Sequence, residues 1–293
     1  MKTVKLFSLA ALGFMAAVAC SRADLTPASQ PVNITIQASI GELTKVQTTG
    51  YTSGFEAGDQ VSLYAWTGSA STVPDTKVVN GVKNTLGTDG KWTPETQMLW
   101  ADMVSPHYFI GIYPARMVTD FTADAYTLNP AEYEASDLLI ATNVTGLKAQ
   151  DNPVSLGFYH AMATLNVNLS FRNQWTTEPS VSSVTVTGKK TATVNYLTKT
   201  VTATGAAEAV ALTSKANNTW SGLQVPQIGV NTITITIEGK DYVFTHTADI
   251  PLVGGQYTTV NLIVGRNKID LASVSINEWA AGSTIDGGEA QTD

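Results

Sequence analysis

The chain of 293 residues predicts an all-β fold built as two tandem β-sandwiches behind a secretory leader. Three observations carry that expectation. Only 14% of residues are charged, while Thr and Val are abundant, a balance that suits pleated, half-buried surfaces better than helices. Short runs of alternating apolar residues recur every ~8–12 residues between Gly, Asp and Asn turns, the spacing of sandwich strands. The third is the stretch VSLGFYHAMATLNVNLSF, from Val154 to Phe171. Val154, Leu156, Phe158, His160 and Met162 alternate on even numbers; Leu165, Val167, Leu169 and Phe171 then alternate on odd ones. A one-residue slip moves every side chain to the other face, so this strand either bulges near Ala161–Thr164 or leaves one sheet for another.

In chain order, Lys2 and Lys5 precede an apolar run from Leu6 to Val18 that ends in Ala17-Val18-Ala19-Cys20. A basic start, an apolar stretch of ~7–15 residues and small residues at its end make a secretory signal over residues 1–19. Cys20 is the only cysteine. The small residues at −1 and −3 resemble the bacterial lipobox, which implies lipidation of Cys20. Three acyl chains would exceed the two signals that stable anchoring takes, and no disulfide or thiol chemistry remains. Residues 20–31 read as a lipidated tether.

The first strand follows, with Val32, Ile34, Ile36 and Ala38 alternating with polar residues. Lys45 is the only basic residue in the loop after it. Gly58-Asp59 leads into Val61, Leu63 and Ala65. Short strands are expected at Lys77–Val79 and Lys91-Trp92, and a clearer one at His107–Tyr113. Asn129-Pro130-Ala131-Glu132 is the one good helix start, with Asn129 as cap and Pro130 in the first turn. Ala149–Pro153 is polar and turn-rich and divides the chain into a first sandwich over 32–150 and a second over 151–293. In the second, Ile233–Ile237 is an unambiguous strand, and Glu238-Gly239-Lys240-Asp241 turns it back into Tyr242-Val243-Phe244.

The landmarks in order are Cys20, Phe55-x-x-Gly58-Asp59-x-Val61-x-Leu63-Tyr64, Leu99-Trp100, Tyr113-Pro114, Ser136-Asp137-Leu138-Leu139-x-Ala141, Phe158-x-His160-x-x-Ala163-x-Leu165, Val225-Pro226-Gln227, Gly255-x-Tyr257 ahead of Val260-x-Leu262-x-Val264, and Ile276-x-x-Trp279. Together they resemble the fimbrillin-like family of lipoproteins, the type V pilus subunits of Bacteroidetes. The resemblance implies transthyretin-like (Greek-key) sandwiches and a lipid-anchored place at the cell outer membrane, in a fimbrium. It implies partners that are other fimbrial subunits, joined by strand addition, and a host or bacterial surface ligand. In the family's stalk subunits an arginine-specific protease removes the first strand, here Val32, Ile34, Ile36 and Ala38, and a neighbour's C-terminal strand fills the slot. No arginine lies between Arg22 and Arg116. A cut at Arg22 would leave the first strand in place, and Lys45 is the alternative. The tail after Trp279 is small and polar, so the donor would be Leu271, Val274, Ile276 and Trp279. An anchor or accessory subunit fits better than a stalk subunit.

Catalytic chemistry has little to stand on. His107, His160 and His246 sit in separate strand contexts with no His-x-His or Glu-x-x-His pair, so neither metal nor cofactor is expected. His160, on the apolar parity, reads as a core or interface histidine bonded to backbone. Gly-x-Ser-x-Gly is missing. Glu132, Glu134 and Asp137 read as helix-dipole and solvating groups, with Asp137 also placed to pin the turn into the next strand. The net charge of −7 argues against nucleic acid. The competing reading is a glycan-binding surface lipoprotein of a polysaccharide-uptake system. Trp92, Trp175 and Trp220 would be its sugar platforms, whereas Trp100 and Trp279 read as core.

Overall fold

The computed structural model describes residues 31–41, 54–175 and 177–278. The first half runs β1 (Ile36–Ile40), β2 (Gln60–Thr67), β3 (Val79–Leu86), β4 (Trp92–Pro94), β5 (His107–Tyr113), β6 (Asp124–Thr127), the single-turn helix α1 (Tyr133–Ser136), β7 (Leu139–Leu147) and β8 (Val154–His160). The second runs β9 (Ala163–Phe171), β10 (Val181–Gly188), β11 (Thr191–Asn195), β12 (Thr200–Thr204), β13 (Glu208–Ser214), β14 (Thr219–Gln224), β15 (Thr232–Ile237), β16 (Lys240–Thr245), β17 (Gln256–Val264) and β18 (Ile269–Glu278).

Seven strands form one sheet in the order β1-β8-β7-β5-β2-β3-β4. All its pairs are antiparallel except β1 with β8, which run parallel. The second sheet has the order β16-β15-β10-β13-β14-β9-β17-β18. It folds over at β13–β14, which pair only at Thr213↔Ser221 and Ser214↔Trp220. The two resulting layers meet through Val184, Val186, Ile233 and Ile235 on one side and Leu165, Val167, Val260 and Leu262 on the other. β15 and β16 are joined by the two residues Glu238 and Gly239, both at positive φ (50° and 77°). That is the turn whose twist matches a hairpin.

The parity change in the central stretch resolves as a change of sheet. β8 belongs to the seven-stranded sheet and β9 to the eight-stranded one, and the chain crosses at Ala161–Met162. β8, which a division at 150/151 assigns to the second half, therefore hydrogen-bonds in the first sheet. A third sheet, β12-β11-β6, also crosses that division: the β11–β12 hairpin of the second half takes β6 of the first as its third strand.

Two cores result. One holds Ile34, Ile36, Leu63, Phe109, Leu156 and Phe158. The other is shared by both halves and runs from Tyr64, Trp66, Ile110 and Ile112 through Tyr126 and Tyr196 to Val260. β2 is buried from Val61 to Trp66 because its odd residues face one core and its even residues the other.

Three local expectations need correction. α1 starts at Tyr133 with Glu132 at its N-cap position and no side-chain cap bond. Asn129 instead closes a turn, its Oδ1 accepting from the Ala131 amide (3.2 Å), so Pro130 stands before the helix. The strand placed at Lys77–Val79 begins at Val79 and runs to Leu86. The one placed at Lys91-Trp92 is Trp92–Pro94.

Candidate functional site: the groove closed by the first strand

The first strand closes the first sandwich from two sides. Val32–Ile34 lies antiparallel to Met98–Trp100: the Ile34 amide donates to Met98 O (2.8 Å) and the Trp100 amide to Val32 O (3.0 Å). The segment then crosses to β8, where the Val154 amide donates to Thr35 O and the Gly41 amide to Phe158 O (both 2.8 Å). At the crossing, the Thr35 amide donates to Asn152 Oδ1 (2.9 Å). Alternate side chains point inward. Ile34 is 1% and Ile36 7% exposed, and Val32, Ala38 and Ile40 pack half-buried against the same core. Each buried Ile is worth about 1.5–3 kcal/mol. Without this segment, a slot floored by Leu63, Phe109, Leu156 and Phe158 would lie open, edged by unpaired backbone of β8 and Met98–Trp100.

The last strand is held quite differently. Among the described residues, β18 is an outer strand that pairs with β17 alone. Its register shifts between the Asn261↔Ser273 and Leu262↔Leu271 pairs, so Ala272 is the extra residue of a bulge. That explains why Leu271 and Val274, three apart, both reach the core: both are half-buried against it. Ile276 is 46% exposed. Asp270 pairs with Arg172 and Lys268, exposed ion pairs of the kind worth little. Among the described residues of β18 no side chain is fully buried.

Of the residues singled out from the sequence, Cys20, Arg22, Lys45 and Trp279 lie outside the described residues. The inserted strand and the described donor residues occupy different sheets. His160 Nδ1 lies 3.0 Å from Asp137 Oδ1. Asp137 thus ties the end of β8 to the turn before β7. His107 is fully buried, its Nε2 accepting from the Ala101 amide (3.1 Å) and its Nδ1 facing Ser105 O (2.9 Å). The described tryptophans are poor sugar platforms. Trp66, Trp100 and Trp220 are core residues. Trp92 stands edge-on to Phe55 (5.1 Å between centroids), and the ring of Trp175 is covered by Arg266 while its Nε1 donates to Val264 O (3.1 Å).

Where the two halves meet lies a tyrosine cluster that no local pattern announces. Tyr196 donates to Asp124 Oδ2 (2.8 Å), which also pairs with Arg116 (3.0 Å). Tyr64 donates to Arg116 O (3.0 Å) and accepts from the Val118 amide (2.7 Å). Nearby, Tyr113 donates to Asp59 Oδ1 (3.2 Å) at the edge of a cleft of about 950 Å³. Burial pushes the phenols up, Tyr113 and Tyr126 to about 12, with the Asp59 carboxylate adding to the rise at Tyr113; Tyr64 and Tyr196 shift the same way, burial again being the main cause. The folded state then holds these protons more tightly than the unfolded chain, whose tyrosines titrate near 10. Stability is fully present below pH ~10 and falls as pH rises toward 12. Equilibrium unfolding followed by denaturant titration is expected to show this loss, and Tyr196→Phe to flatten its slope. A flat profile between pH 9 and 12 would contradict it.

The all-β architecture, with two cores and a first sandwich completed by the segment Val32–Ile40, is the one the comparisons return. The fimbrillin-like family matches residues 44–279. The chain belongs to that family. A candidate cell adhesion protein from Bacteroides uniformis superposes with a TM-score of 0.65 at 19% identity, over 86% of this chain and 99% of that one. One from Bacteroides ovatus gives 0.65 at 15% identity, with the same coverage. A fimbrial protein from Bacteroides vulgatus gives 0.51 at 14% identity, over 84% of this chain and all of that one. At such identities the likeness is one of fold. Among curated proteins none matches significantly.

Proposed function

We propose that this chain is a structural, non-enzymatic subunit of a cell-surface fimbrium, tethered to the outer membrane through lipidated Cys20, that joins its neighbours by strand exchange. The observation that supports this most is the pairing of the segment Val32–Ile40. One short segment, bonded on both sides and buried through Ile34 and Ile36, stands between the first core and an open slot. A slot of that kind takes another extended strand through backbone bonds and alternate side chains. β18, which among the described residues is paired on one side and has no fully buried side chain, is the segment most easily lent. A subunit that keeps its N-terminus would stand in an anchor or accessory position, lending β18 while keeping its own slot filled.

Two measurements test the reading. Mass spectrometry of the protein from the cell surface should find acylated Cys20 as the first residue; a start at Val46 would make it a processed subunit instead. Protein cut at Lys45 in vitro should take up β18 from uncut copies and run as SDS-resistant multimers, and Val274→Asp in the donor should abolish them. Cut protein that stays monomeric and takes up no strand would refute exchange.

A further inference from the structure

The outer face of β14, β9, β17 and β18 carries side chains in aligned rows. Thr219 pairs with Asn168, Asn168 with Asn261, and Asn261 with Ser273. The next row is Ser221, Asn166, Thr259 and Ser275. No position in either row is charged or apolar. Asn166 and Ser221 are buried and the other six are half-buried, so this is a sheltered face, and a run of amides and hydroxyls alone on it asks for a reason.

The first row is also wired together. Thr219 Oγ1 donates to Asn168 Oδ1 (2.8 Å), Asn168 Nδ2 to Asn261 Oδ1 (2.7 Å), and Asn261 Nδ2 to Ser273 Oγ (2.7 Å). Each amide has two N–H donors and two acceptor lone pairs, so after these bonds each keeps one of both for something outside the row. The internal bonds fix the rotamers, so little ordering cost remains for a ligand. With strands ~4.8 Å apart, a row of four spans about 14 Å, the length of a few linked sugar rings.

This face forms one wall of the cleft of about 950 Å³. Rings of Phe55, Tyr113 and Tyr133 border it from the other half, and Tyr133 stands 3.4 Å from Thr164 Oγ1 on β9. Aromatic faces with a few fixed polar groups are what a pocket for a small organic ligand needs. Charge narrows the class. Among the described residues of the cleft, Glu56, Asp59, Glu134 and Asp137 stand against one lysine, Lys215, with His160 beside them, an excess that repels uronates, sialates and phosphates.

We infer that the aligned Thr219–Asn168–Asn261–Ser273 row and the cleft beside it bind a neutral glycan chain. The row does not depend on strand exchange for three of its four residues, which lie on β14, β9 and β17; Ser273 of β18 and Ile40 of β1, at the cleft, are the members an exchange would move. Failure of the glycan site would leave the assembly reading intact.

The test follows the side-chain amide resonances of Asn168 and Asn261 by NMR in the full chain. Cellohexaose and mannohexaose serve as neutral probes and hexagalacturonate as the acidic one, each added to millimolar concentration. At least one neutral hexaose is expected to move both amides, with the acidic one about tenfold weaker, and Asn168→Ala/Asn261→Ala to cost at least about tenfold in affinity. Asn261→Asp keeps the shape and adds a charge; it should give the same loss with an unchanged backbone spectrum, which separates binding from folding. Amides unmoved by either neutral hexaose, equal binding of the acidic one, or undiminished binding by the folded Asn261→Asp variant would each overturn the inference.

Discussion

Ile34→Asp is expected to leave the first sandwich unclosed. Ile34 is 1% exposed, and its amide bonds to Met98 O. The substitution removes a fully buried apolar side chain and puts a carboxylate among Leu63, Trp100 and Phe109 with no partner. Losing the side chain alone costs about 2–5 kcal/mol, and an unpaired buried charge adds to that. The segment can escape the charge penalty by leaving its slot. Thermal melts should therefore show a drop of many degrees, and a free strand peptide of the Leu271–Glu278 type should restore part of it. Thr35→Asp, at an exposed neighbour, should change little. If Ile34→Asp melts like the parent, the segment Val32–Ile40 does not hold the core closed.

Tyr196→Ala is the second large effect. Its ring is fully buried and its hydroxyl holds Asp124 Oδ2, which holds Arg116. The Tyr196 carbonyl also accepts from Thr142 Oγ1 (2.8 Å) on β7. The residue thus ties the end of the β11–β12 hairpin to three segments of the other half. Truncating a large buried aromatic costs about 3–5 kcal/mol, here with a hydrogen bond lost as well. Chemical unfolding of the parent should be one transition, because one core is shared. In Tyr196→Ala it should separate into two, each half melting on its own. A single, merely shifted transition would show that the shared core survives without this residue.

How much of this was legible depends on periodicity. Alternation found most strands, and the parity change between Met162 and Leu165 left two outcomes, a bulge or a change of sheet, of which the chain takes the second. Alternation has nothing to say where a strand is buried on both faces, and so Tyr64 and Trp66 on β2 gave no hint of a second core. The helix start misled because Asn129 and Pro130 serve a turn as well as they serve a cap. The pairing of β6 with β11 could not be read at all: four residues, Asp124–Thr127, carry no pattern long enough to announce a partner. The groove was legible as a first strand and a late edge strand. The amide row was not, because Asn168 and Asn261 become neighbours only through the parallel pairing of β9 with β17.

The parallel pairing of β1 has a kinetic side. No hairpin turn delivers Ile36 to Val154; nearly the whole first sandwich must exist before there is an edge for it to meet. Contacts of such long range are made late in folding, after loop closure has been met elsewhere. The nearly finished molecule, complete but for its first segment, is then an unavoidable stop on the way to the native state. That same species is the one a neighbour could seize, so the timing of the last docking event would decide between a closed monomer and a polymer.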